Sequence, residues 1–107
     1  MKIARRRLVF AAPGIVVPAA AAPVDLALAL AVDVSASVDF REFGMMIGGY
    51  AEAFREAELA ARLTSGAHGA AAVAMLFWSG PGARDLAVPW TRVAGVEQAG
   101  ALAEAIE

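Results

Sequence analysis

The segment from Leu26 to Ser37 constrains the fold of this chain more than any other. Its first part, Leu26 to Val32, is short, apolar throughout and followed directly by polar residues. Runs of this kind are typical of strands that are buried on both faces of a parallel sheet. We therefore expect an α/β protein in which the residues after Val32 lie at the carboxyl end of a strand.

One carboxylate and two hydroxyls follow this strand at alternate positions, on Asp33, Ser35 and Ser37. Ligands of open α/β sheets bind at the carboxyl ends of the strands, and oxygen ligands suit Mg²⁺, Ca²⁺ or Mn²⁺. The pattern predicts a metal site on a strand-to-helix loop. The residues alone leave a second interpretation open, in which Ser35 or Ser37 caps the next helix and Asp33 accepts N–H bonds within the loop.

A helix is predicted to follow this loop. Asp39 and Glu42 have the spacing of a capping box. Gly44 and Gly48 are four residues apart and would let the helix lie close to its sheet. The apolar stripe that we expect to pack in the core consists of Phe40, Phe43, Ile47, Tyr50 and Phe54.

Two further strands and a second helix complete the predicted order of strand, helix, strand, strand, helix. Residues 70–78 read as a second buried strand, and residues 79–82, Ser-Gly-Pro-Gly, as a turn. Residues 84–90 form the third strand, in which Pro89 favours a position at the edge of the sheet. Apolar residues at helical spacing after Gly95 predict the second helix.

The motif from Asp33 to Ser37, Asp-Val-Ser-Ala-Ser, resembles the first segment of the metal-ion-dependent adhesion site of von Willebrand factor type A domains. Residues 77–82 and 88–92 resemble the second and third strands of a secreted bacterial family with this fold, a family of unknown function. The resemblance runs from about Val24 to the C-terminus. It implies a Rossmann-like open sheet with flanking helices.

The resemblance also implies roles for the loop residues. Ser35 and Ser37 would be direct ligands of Mg²⁺ (or Mn²⁺ or Ca²⁺), and Asp33 would act through bound water. An acidic residue of a partner protein would complete the metal shell. The family's site also takes a Thr and an Asp from two later loops, and no residue here matches them, since Thr91 follows the third strand too early. We therefore expect residues 22–107 to be the N-terminal part of such a domain, with weak or no metal binding.

The first 21 residues read as a signal peptide. Lys2 and the triplet of residues 5–7 are basic, residues 8–17 are apolar, and residues 19–21 offer a small-residue cleavage point. Export through either the general or the twin-arginine route fits this pattern. An uncleaved membrane anchor is disfavoured because prolines and a glycine interrupt an apolar stretch that is too short to span a bilayer. We expect an exported, periplasmic or extracellular protein with no membrane span after cleavage.

Charge and composition exclude several classes of function. Removal of residues 1–21 leaves five basic and eleven acidic residues, a net charge of −6, which argues against nucleic acid as a partner. The sequence has no cysteine and a single histidine, so a zinc site of the usual ligands is not expected.

Two alternatives to an adhesion-type module stay open at this stage. One is a truncated product without activity of its own. The other is an aspartate-dependent phosphoryl-transfer enzyme with Asp33 as nucleophile. Such enzymes usually place a second Asp two residues later, where this chain has Ser35, so we do not expect an enzyme.

Overall fold

The computed structural model describes residues 22–107, which form three strands and three helices. Their order along the chain is β1 (Leu26–Asp33), α1 (Phe40–Arg55), α2 (Ala57–Leu63), β2 (Ala71–Gly80), β3 (Ala83–Val93) and α3 (Val96–Ile106). The predicted signal peptide, residues 1–21, lies outside the described residues. No helix within residues 22–107 is long and apolar enough to cross a bilayer.

The three strands form one mixed sheet in the order β1-β2-β3. β1 pairs with β2 in parallel, with Leu26 opposite Ala71 and Asp33 opposite Trp78. β3 runs antiparallel to β2 at the edge of the sheet. The chain is therefore an α/β protein whose sheet and helices match part of a Rossmann-like arrangement, and this confirms the predicted fold class.

The β2–β3 connection is a tight hairpin in which Pro81 and Gly82 join the two strands. The ladder has a bulge near Pro89, because Thr91 pairs with Val73 and Val88 with Met75, so that β3 has two residues where β2 has one. A bulge at an edge strand accommodates a proline that cannot donate to the ladder. The predicted edge position of this strand is confirmed.

Helix α1 begins where the capping box predicts. The Asp39 carboxylate accepts a hydrogen bond from the Glu42 backbone N–H at 2.8 Å, and the Glu42 carboxylate accepts one from the Asp39 N–H at 3.2 Å. These two bonds satisfy donors that the first turn of a helix leaves without an intrahelical partner.

Removal of this cap gives a first testable prediction. Asp39→Ala is expected to lower the free energy of unfolding by about 1 kcal/mol, because the Glu42 N–H loses its acceptor. Asp39→Ser keeps an acceptor oxygen, so its free energy of unfolding is expected to be close to that of the parent. Urea denaturation of the three proteins checks this, and equal stability of the alanine and serine variants would contradict the capping role.

The hydrophobic core lies between the sheet and the three helices. The core is one cluster of buried side chains that includes residues of all three helices and all three strands. The strands contribute Val32 from β1, residues of the central strand β2, and Val88 and Val93 from β3. The largest side chains that are fully buried belong to Met75, Leu102, Val32, Val73 and Val93. All three helices therefore cover the same face of the sheet.

The sequence did not predict the break between α1 and α2. The chain leaves helical geometry at Glu56, with φ −74° and ψ 124°, although the surrounding residues are good helix formers. The break gives α2 a new direction in which Ala60 and Leu63 reach the core. Tertiary packing overrides local propensity here.

The expected packing of α1 is wrong in two details. Gly44 and Gly48 do not lie against the sheet, because a Cβ at either position would meet no atom within 4 Å. Phe40, the first residue of the stripe, is 95% exposed, whereas Phe54 at its other end is buried. The two buried residues of α1, Ala51 and Phe54, both lie in its C-terminal half.

Candidate functional site

Asp33 is the last residue of β1 and lies at the carboxyl end of the parallel pair. It is opposite Trp78, and the next residue continues the ladder, since the Val34 N–H donates to the Trp78 carbonyl at 2.8 Å. Trp78 is 40% exposed and Asp33 is half-buried. The predicted strand-end position of this carboxylate is thus the one observed.

The loop after β1 brings three oxygen-bearing side chains into one short segment. Asp33 Oδ1 accepts a hydrogen bond from the Ser35 N–H at 2.8 Å. Ser35 Oγ and Ser37 Oγ lie 3.1 Å apart. A turn in which the Val38 N–H donates to the Ser35 carbonyl at 2.9 Å holds the two hydroxyls on the same side of the loop.

The distance between the two hydroxyls fits two kinds of interaction. It is the length of a hydroxyl–hydroxyl hydrogen bond. Adjacent ligands in an octahedral Mg²⁺ shell, with metal–oxygen bonds of about 2.0–2.1 Å, lie at a similar separation of about 3 Å. The donor set and its spacing therefore fit a small, hard divalent cation.

The alternative interpretation of this loop assigned Asp33 to an N–H bond within the loop and Ser35 or Ser37 to the helix cap. It is correct for Asp33 and wrong for the two serines. Asp33 accepts an N–H bond within the loop, as that interpretation expects. Ser35 and Ser37 do not cap α1, because Asp39 is the N-cap residue and its side chain makes the capping bond. The two hydroxyls are bonded to each other instead.

An apolar groove of about 350 Å³ adjoins the loop, lined by Val34, Val38, Asp39, Phe40, Phe43 and Phe77. The rings of Phe43 and Phe77 pack edge to face, with their centroids 5.4 Å apart. The sequence assigned Phe40 and Phe43 to the core and did not predict this groove. The groove forms where the first turn of α1 lies beside the carboxyl ends of the strands, a position that depends on tertiary packing.

Thr91 is not part of the site. It is opposite Val73, which pairs with Leu28, so it lies about five residues, or about 16 Å, along the strands from Asp33. Its hydroxyl donates to the Pro89 carbonyl at 2.8 Å. Within residues 22–107 there is no group of three or more His, Cys, Asp or Glu side chains that could hold a metal.

A second carboxylate, on Asp25, is fixed at the opposite end of the sheet. The Asp25 carboxylate accepts hydrogen bonds from the backbone N–H groups of His68, at 2.8 Å, and Ala70, at 3.3 Å. The bond from His68 contributes most to lowering the pKa of Asp25 below its usual range, and partial desolvation opposes it. This carboxylate anchors the loop before β2, and it is bonded to the protein rather than directed at a ligand.

The described residues form an α/β protein with an open mixed sheet, and the loop at the end of its first strand carries one carboxylate and two hydroxyls. The chain belongs to the family described as "Protein of unknown function (DUF1194)", whose model matches residues 23–107. No curated protein and no solved structure matches the chain.

Proposed function

We propose that this chain is part of an exported, metal-dependent protein-binding module whose metal site is the loop containing Asp33, Ser35 and Ser37. The observation that carries the proposal is the 3.1 Å separation of the two serine hydroxyls beside the Asp33 carboxylate. The resemblance of the motif to the adhesion site of von Willebrand factor type A domains supports the same assignment.

Each residue has a defined role in this proposal. The hydroxyls of Ser35 and Ser37 bind Mg²⁺ directly, with Mn²⁺ or Ca²⁺ as alternatives. Asp33 accepts hydrogen bonds from metal-bound water through Oδ2, since Oδ1 is already bonded to the Ser35 N–H. Two neutral hydroxyls neutralise none of the metal's charge, so the bound ion keeps a strong affinity for an anionic ligand.

The partner in this proposal is a protein that presents an acidic residue. Its carboxylate takes one of the coordination positions that the loop leaves to water, and this couples binding to the metal. The two serine hydroxyls fill only about a third of an octahedral shell, so we expect weak affinity for the metal in this chain alone.

Phosphoryl transfer is less well supported than metal-dependent binding. The position two residues after Asp33 is Ser35, and the five basic residues within 22–107 are all arginines. Lysine is therefore not available in the described part of the chain as a counter-charge beside the carboxylate.

Thermal unfolding with and without Mg²⁺ tests the metal site. In the parent chain, millimolar Mg²⁺ is expected to raise the melting temperature, because a ligand that binds the folded state stabilises it by mass action. Asp33→Ala is expected to abolish that rise while costing about 1 kcal/mol of stability for the lost bond to the Ser35 N–H.

Asp85→Ala is the matched control for this experiment. Asp85 is an exposed carboxylate on β3, opposite Phe77 and two strands away from Asp33. Its removal changes the net charge equally and is expected to preserve the Mg²⁺ response. Equal responses of the two variants would mean that Mg²⁺ acts through general charge screening, and the proposal would be wrong.

A further inference from the structure

The residues that precede β1 are tied to the rest of the fold by a set of hydrogen bonds, which we call the N-terminal clamp. The clamp consists of Pro23, Asp25, His68, Ala70 and Arg92. We propose that the clamp protects the bond between Ala21 and Ala22 from a signal peptidase once the chain has folded, so that the leader is removed before folding. This inference rests on the exported state in the proposed function, because it takes residues 1–21 as a cleavable leader.

Asp25 fastens the segment to the loop before β2 through both its backbone and its side chain. Its N–H donates to the Ala70 carbonyl at 2.8 Å. Its carboxylate accepts hydrogen bonds from the His68 N–H and the Ala70 N–H. Hydrogen bonds to an ionised carboxylate are stronger than those between neutral groups. The segment has to break all of these bonds to leave the fold.

Arg92 fastens the same segment from β3. Its Nη2 donates to the Pro23 carbonyl at 3.2 Å, and its Nε is buried. Since β2 lies between β1 and β3, this bond ties the residues before β1 to the far strand of the sheet. Backbone that is hydrogen-bonded to other elements is a poor protease substrate. Pro23 and Asp25 are therefore both held in place in the folded chain.

The clamp lies very close to the proposed cleavage point. Pro23 is the second residue after the bond between Ala21 and Ala22, so at most about 7 Å of extended chain separates that bond from the clamp. A peptidase binds its substrate as an extended segment with residues on both sides of the cleaved bond. The unfolded chain provides such a segment, whereas in the folded chain the residues on the C-terminal side are already bonded.

The order of cleavage and folding selects between the two export routes that the sequence leaves open. The general route carries unfolded chains, and the twin-arginine route carries folded ones. Because the clamp protects the bond in the folded state, a chain exported after folding would keep its leader. The clamp therefore assigns this chain to the general route.

Cleavage of the 107-residue chain by a purified bacterial signal peptidase in detergent tests the clamp. The matched variant carries a six-residue Gly-Ser linker between Ala22 and Pro23, which moves the clamp about 20 Å away from the cleaved bond. A peptide of residues 12–30 is the unfolded reference, and circular dichroism compares the folding of the parent and the linker variant. The parent is expected to be cleaved at least about tenfold more slowly than the other two, since its cleavage requires local opening.

Two substitutions separate opening of the clamp from unfolding of the whole chain. Asp25→Ala removes the carboxylate of the clamp and is expected to speed cleavage at least about fivefold. Asp39→Ala weakens the cap of α1, at the other end of the sheet, and is expected to change the cleavage rate by no more than about twofold. Equal acceleration by both substitutions would show that cleavage follows global unfolding, and the clamp would not be the protecting element.

Replacement of the basic triplet tests the export route. Lysines at residues 5–7 keep the positive charge that a leader needs but remove the arginine pair of the twin-arginine signal. In a bacterial host that has both routes, this variant is expected to be processed as fully as the parent. Loss of processing would assign the chain to the twin-arginine route and overturn the inference.

Two further results of the peptidase experiment would overturn the inference in different ways. Equal cleavage of the parent and the linker variant would show that the clamp does not protect the bond, and the exported state would stand. Resistance of the parent, the linker variant and the peptide alike would show that residues 1–21 are not a cleavable leader. In that case the exported state in the proposed function would fail as well.

Discussion

Replacing Met75 by alanine is expected to lower the free energy of unfolding by about 2–5 kcal/mol. Met75 is 1% exposed and lies in the central strand, with Leu30 of β1 on one side and Val88 of β3 on the other. Alanine would leave a cavity inside the core cluster that joins the sheet to the helices. Since small domains are stable by only about 5–15 kcal/mol in total, such a loss is a large fraction of what holds the fold together.

The matched control for this prediction is Met45→Ala. Met45 lies on α1 and is 62% exposed, so its removal is expected to change the free energy of unfolding by no more than about 0.5 kcal/mol. Urea denaturation of both variants and the parent measures the difference. Similar losses at the two positions would mean that Met75 is not in a packed core.

Features set by neighbouring residues were predicted well from the sequence. The apolar run of β1 and the capping box of α1 depend on residues within a few positions of each other, and both appear where the sequence predicts them. The proline of β3 likewise indicated an edge strand for a local reason, the missing N–H donor. The α/β fold class follows from these elements in order.

Features set by distant contacts were not predicted. The break at Glu56 has no local signal such as a proline or glycine, and it is explained by the burial of Ala60 and Leu63 against other elements. The orientation of α1 leaves Phe40 exposed and Gly44 without a neighbour. Hydrophobic spacing gives the stripe of a helix, but it does not say which end of the stripe reaches the sheet.

The candidate site likewise combines local features, which the sequence predicts, with features that depend on distant contacts, which it does not. The order of Asp33, Ser35 and Ser37 placed three oxygen-bearing side chains on one loop, but their spacing depends on the turn that closes on the Ser35 carbonyl. The role of Asp25 could not be predicted, because the amides it accepts from lie 43 and 45 residues later in the chain. The parallel pairing of β1 and β2 brings those amides to Asp25.

The loop anchored by Asp25 requires a glycine at one position. A Cβ added to Gly66 would lie 2.6 Å from Asp25 Oδ2, well inside van der Waals contact. Gly66→Ala is therefore expected to lower the free energy of unfolding by about 1–3 kcal/mol, as other overpacking substitutions do. The same substitution at Gly44, which has open space in a helix, is expected to raise it by about 0.5–1 kcal/mol.

A double substitution identifies the cause of the Gly66→Ala penalty. If the added methyl displaces the Asp25 side chain from the His68 and Ala70 amides, removal of the whole side chain, including Cβ at 2.8 Å from the added methyl, leaves nothing to displace. Gly66→Ala is then expected to cost almost nothing in an Asp25→Gly background, although it is costly in the parent. Denaturation of the two single variants, the double variant and the parent completes the cycle. An unchanged penalty in the double variant would place the strain in the backbone of the loop, and the carboxylate would not be the reason that this position is glycine.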